Sequence, residues 1–112
     1  MSGITTHVLD TSRGCPAAGI NVELHRKLGE SWITVGEGRT DANGRCNSLT
    51  GDVQPEVGTY RLVFHAGAYF QAGNTETFYP DIPIIFEVRE PGAHYHVPLL
   101  ISPFGYSTYR GS

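Results

Sequence analysis

Apolar and polar residues alternate with a period of two along much of this chain, the spacing of a strand with one buried face. Residues 4–10 carry the pattern first, with Ile4, Thr6 and Val8 on one face and Thr5, His7 and Leu9 on the other. The 20–27 segment repeats it, turning Ile20, Val22 and Leu24 inward. Further runs cover 32–39, 59–65, 83–89, 94–101 and 105–110, rich in the Val, Ile, Thr, Tyr and Phe that suit pleated, half-buried surfaces. Breaks separate them. TSRGCPAAG at 11–19 and Gly29-Glu30-Ser31 read as loops, and Asp41-Ala42-Asn43-Gly44 is a strong turn signal, because Asn-Gly tolerates positive φ. Only GAYFQAG at 67–73 reads as helix. The pattern predicts an all-β chain of seven to eight strands with one short helix, packed as an antiparallel β-sandwich. So short a helix cannot serve as a βαβ crossover, which disfavours a parallel sheet. Pro98, inside an otherwise continuous strand pattern, predicts an edge, a bulge or an interrupted ladder.

Composition narrows the classes. The 112 residues amount to one expected domain, 1–112, and 39% hydrophobic with 17% charged residues fits a folded globular chain. A net charge of -3 without a basic cluster argues against nucleic acid as a partner. No apolar run approaches the length of a membrane span. Met1-Ser2-Gly3-Ile4-Thr5-Thr6-His7 lacks the basic and apolar regions of a signal peptide, and the last three residues are not Ser-Lys-Leu, so a cytoplasmic location is expected. Cys15 and Cys46 are too few for a disulfide framework and are expected to be reduced.

Four features could carry chemistry. In His94-Tyr95-His96 a strand puts both imidazoles on one face, roughly 6.6 Å apart along the chain. His7 lies on the opposite phase from Ile4 and Val8, and matters if its strand neighbours the one bearing His96. Three converging histidines would serve acid–base chemistry or, ranked lower, a zinc site. Arg45 follows the Asn43-Gly44 turn, and its rigid fork of donors suits planar, carbonyl-rich or anionic ligands. Finally, the tail Tyr106-Ser107-Thr108-Tyr109-Arg110-Gly111-Ser112 is aromatic and strand-forming where chain ends are usually frayed. Alternation sets Ser107, Tyr109 and Gly111 on one face, with Tyr106, Thr108 and Arg110 on the other.

Assembled, these segments resemble the 5-hydroxyisourate hydrolases, enzymatic relatives of transthyretin. The resemblance runs through ITTHVLDTSRGCPAAGI (4–20), TDANGRC (40–46), TYRLVF (59–64) and HYHVPLLISPFGYSTYRGS (94–112), and the terminal YRGS is its most specific part. It implies a transthyretin-like two-sheet sandwich and hydrolytic opening of the ring of 5-hydroxyisourate, a cyclic amide of urate breakdown, without metal or cofactor. It implies catalytic roles for His7, Arg45, His96 and Ser112, with His94, Tyr109, Arg110 and Gly111 binding substrate or shaping the site. It further implies a homotetramer, a dimer of dimers, whose sites lie in a channel at the subunit interface. Transthyretin lacks these histidines and this ending, so the resemblance favours the enzyme over a small-ligand carrier on the same scaffold.

Overall fold

The structure, a computed structural model, describes residues 3–51 and 53–111. Two sheets stack face to face. The first holds β1 (Gly3–Asp10), β2 (Cys15–Pro16), β5 (Arg45–Cys46), β8 (His94–Ser102) and β9 (Gly105–Thr108), in the order β2-β1-β8-β9 with β5 also paired to β1. The second holds β3 (Asn21–Leu28), β4 (Ser31–Arg39), β6 (Gly58–Phe64) and β7 (Ile82–Val88), in the order β4-β3-β6-β7. The one helix among the described residues, α1 (Ala66–Ala72), connects β6 to β7 one residue earlier than the pattern predicts. The all-β sandwich of two sheets is therefore as expected.

One pairing departs from expectation. β1 and β8 run parallel, with Thr5 opposite His96 and His7 opposite Pro98. Their connection is not a helix but the whole second sheet, which lets the chain return to β1 in the same direction without a βαβ unit. Pro98 behaves as an interruption. β9 pairs with β8 from Leu99↔Thr108 outward, and the partnership resumes beyond the proline as the single bridge His96↔Gly111. Proline has no N–H to give the ladder at that point, and its carbonyl instead accepts from the Thr108 hydroxyl at 2.7 Å.

The alternation decides what is buried. Ile4, Val8, Leu99 and Ile101 of the first sheet meet Val22, Leu24, Leu62, Phe64 and Ile82 of the second or its flanks, all essentially without solvent contact. Each such side chain contributes about 1.5–3 kcal/mol relative to exposure. The 41–44 turn is locked onto this frame. Gly44 adopts φ +75°, and its carbonyl accepts from the Val8 N–H at 2.7 Å. A Cβ there would fall 2.4 Å from the Val8 oxygen, so only glycine lets the turn lie this close. The turn thereby delivers β5 to β1, with Arg45 opposite His7.

On the second sheet's side, His65 presents both ring nitrogens to carboxylates, which can only accept from them: Nδ1 lies 2.8 Å from Asp81 and Nε2 2.6 Å from Glu23. Its hydrogen bonds to Asp81 and Glu23 raise its pKa above the ordinary 6.5, and the same pairing with His65, then with His25, lowers Glu23 below 4.5. A raised histidine stabilises fully below its unfolded value and loses that contribution as pH rises through the folded one; a depressed glutamate does the reverse. Both contributions coexist between the two ordinary values. Replacing His65 by Gln should therefore lower the unfolding free energy from urea titration most near about pH 5.5 and least near about pH 9, by about 1 kcal/mol at most because these groups face solvent. A larger deficit at the higher pH would contradict this assignment.

Candidate active site

Directly paired residues in a sheet share a face, so the register builds the site. His7 faces the same way as its partner Arg45, and Thr5 the same way as its partner His96. His94, two residues before His96, joins them. The intervening residues Ile4, Val8, Tyr95 and Val97 point into the core. His7, Thr5, His94, His96 and Arg45 thus gather on the outer face of the first sheet, where the histidines are half-buried and Arg45 is exposed.

The tightest contact there involves a residue that sequence reasoning overlooked. Thr5, only 4% exposed, sets its Oγ1 2.7 Å from Nε2 of His94 and 2.8 Å from Nδ1 of His96. The two rings stand 6.1 Å apart between centroids, tilted by 33°. A usable signal existed, since Thr5 shares the phase of His7, but threonine on a strand is too common to be singled out without its neighbours.

His96 has a pKa below the ordinary histidine value. Burial is the first cause, because it penalises the charged ring, and the nearby His94, Arg45 and His7 add repulsion against a further positive charge. His96 is accordingly neutral at pH 7, with Nδ1 engaged by Thr5 and Nε2 left to act.

The tail docks against this ring as its composition predicts. The Gly111 N–H donates to the His96 carbonyl at 2.9 Å. A Cβ on Gly111 would lie 2.6 Å from Cδ2 of His96 and 3.1 Å from Cγ of Pro98, so the glycine is what lets the chain pass over the imidazole edge. Tyr109 shares the phase of Gly111 and is 58% exposed beside the site. Arg110 takes the opposite direction. Its guanidinium stacks 4.6 Å from the ring centroid of Tyr95, and it lines a cavity of about 460 Å³ with Ile84, Phe86, Tyr95 and Val97. That contact anchors the tail through a cation–π pair, and His96 and Tyr109 line the same cavity. Ser112 lies outside the described residues.

Among the described residues, no three His, Cys, Asp or Glu side chains converge as metal ligands would, and no helix is long and apolar enough to cross a membrane. The face offers instead a neutral imidazole, a guanidinium fork and a shared hydroxyl. Such groups suit proton abstraction from water and stabilisation of negative charge at a carbonyl.

Comparison with known proteins agrees with this chemistry. The chain is 47% identical to the 5-hydroxyisourate hydrolase of Caulobacter vibrioides, with all of both chains covered. The solved 5-hydroxyisourate hydrolase of Klebsiella pneumoniae is 39% identical and superposes at a TM-score of 0.87 over the full length of both chains. Transthyretin from Sparus aurata superposes at 0.92 over 99% of this chain and 97% of its own, at 28% identity. The fold alone therefore does not separate hydrolase from carrier. With the HIUase/Transthyretin family model matching residues 4–111, the chain belongs to that family.

Proposed function

We propose that this protein hydrolyses 5-hydroxyisourate, opening its cyclic amide by attack of water on a carbonyl and cleavage of the C–N bond. The observation that carries the reading is the convergence of His7, His94, His96 and Arg45 around Thr5 on one sheet face, with His96 neutral at pH 7. In this scheme His96 takes the proton of the attacking water and returns it to the departing nitrogen. His7 orients the water. Arg45, whose donors form a planar fork, holds the heterocycle's oxygens and stabilises the charge that develops on the attacked carbonyl. Tyr109 floors the pocket, His94 and Gly111 shape it, and Ser112 fixes a histidine tautomer or positions the water. Relatives at 47% and 39% identity that bear the name 5-hydroxyisourate hydrolase support the substrate.

The proposal includes a homotetramer with sites between subunits. Its support is that β7 and β9 are sheet edges, with Ile85 and Tyr106 exposed on them and Phe104 exposed beside β9. Unpaired edges with apolar side chains invite a partner strand. Light scattering should return about four times the 12.2 kDa chain mass; a monomer would remove this part. The rival is a small-ligand carrier, favoured only by the close superposition on transthyretin. Ultraviolet decay of freshly generated 5-hydroxyisourate separates them. Acceleration by the protein is expected, and decay at the spontaneous rate would remove the hydrolase reading.

A further inference from the structure

One hydroxyl stands between two imidazoles in this site, and the chemistry of that arrangement is restrictive. Oγ1 of Thr5 lies 2.7 Å from Nε2 of His94 and 2.8 Å from Nδ1 of His96. A hydroxyl has one proton to donate and two lone pairs with which to accept. It can therefore donate to one of these nitrogens only, and its other neighbour must be a protonated nitrogen donating to it. Thr5 is 4% exposed, and among the described residues its hydroxyl makes no other side-chain hydrogen bond, so its proton has its acceptor within the pair. The nitrogen facing Thr5 is therefore bare on one ring and protonated on the other, and because the facing atoms are Nε2 of His94 and Nδ1 of His96, the two neutral rings share one tautomer.

We propose that Thr5 is a positioning residue that locks His94 and His96 in the same Nδ1–H tautomer, donating to Nε2 of His94 and accepting from Nδ1–H of His96. This deepens the hydrolase reading and rests on it for the direction of the chain. With Nδ1–H of His96 committed to Thr5, the basic lone pair is at Nε2, on the far side of the ring. Water then loses a proton to that Nε2 as its oxygen bonds to the substrate carbonyl carbon. The same proton passes to the ring nitrogen as the C–N bond breaks, and His96 returns to its starting form. Nothing between Thr5 and His96 has to move, because Nδ1 keeps its proton throughout. The reverse direction would put the His96 lone pair at Nδ1, against Thr5, and each turnover would need the hydroxyl to rotate away first. Gly111 serves the same end, because a side chain there would press on Cδ2, the carbon beside Nε2.

The test combines spectroscopy with kinetics. In wild-type protein without substrate, nitrogen-15 spectra of the imidazoles should show a bare Nε2 and a protonated Nδ1 on both His96 and His94. Thr5→Val, close to isosteric, should average the tautomers of both rings. It should lower kcat about 10–100-fold with KM little changed, as loss of a transition-state arrangement does. Thr5→Ser keeps the hydroxyl and should recover the shared Nδ1–H tautomer and most of the turnover. Unlike tautomers on the two wild-type rings, or Nε2–H on both, would overturn the proposal, as would unchanged spectra in Thr5→Val. Should Thr5→Val fail to fold, the wild-type and Thr5→Ser spectra decide alone. Because the spectra need no substrate, the shared Nδ1–H tautomer in a protein that fails to accelerate decay of 5-hydroxyisourate would sink the hydrolase reading and leave the coupling standing.

Discussion

His96→Asn should leave the fold intact and lower turnover of 5-hydroxyisourate by about two to four orders of magnitude, the range that a positioned general base contributes. The fold should survive because the ring sits on the outer face of β8, with Tyr95 and Val97 on either side supplying the core contacts. Asparagine also keeps a short polar group that can reach Thr5, so that hydroxyl is not left stranded. What it lacks is a nitrogen lone pair able to take a proton. Wild-type kcat/KM should fall at acid pH with a midpoint below the ordinary histidine value of 6.5, because burial and then His94, Arg45 and His7 resist charging of this ring. In the variant that limb should disappear with the activity. Near-normal turnover of fresh substrate by His96→Asn would end the assignment of His96 as base.

Arg45→Gln should cost about 10²–10³ in kcat, the loss seen when a preorganised donor to a developing oxyanion is removed. Stability should move by no more than about 0.5 kcal/mol, because Arg45 is an exposed residue of a two-residue strand and packs no core. A second readout comes from electrostatics. Arg45 is among the charges that depress the His96 pKa, so removing it should shift the acid limb of the profile upward. Arg45→Lys separates the two effects: it restores the position of the limb but recovers only part of the turnover, since an ammonium lacks the planar fork. If Arg45→Gln leaves both kcat and the limb where they are, the guanidinium is not part of the site.

Much of this architecture is legible in the chain because a strand's period of two acts locally. The alternation over 4–10 assigns Ile4 and Val8 to the core and Thr5 and His7 to the other face, and the sandwich keeps that division. The tail alternation likewise separates Gly111 from Arg110, which the structure sends to the imidazole edge of His96 and to the ring of Tyr95 respectively. Asn43-Gly44 forms its turn because the φ requirement is a property of the residues themselves. The substrate class is of a different kind, for it came from family resemblance and from no periodicity.

Partnership was not legible. Alternation says which face a side chain takes, not which strand lies beside it. β1 and β8 are joined through the entire second sheet, and their parallel pairing follows only once two sheets close over one core. That pairing sets Thr5 against His96, so the shared hydroxyl, the most specific contact of the site, is invisible from either segment alone. The sequence by itself determined the strands, their buried faces and the residue types able to do the chemistry, all of which depend on near neighbours. Only the tertiary structure decided which of those residues meet, because register across strands distant in the chain is settled by long-range packing.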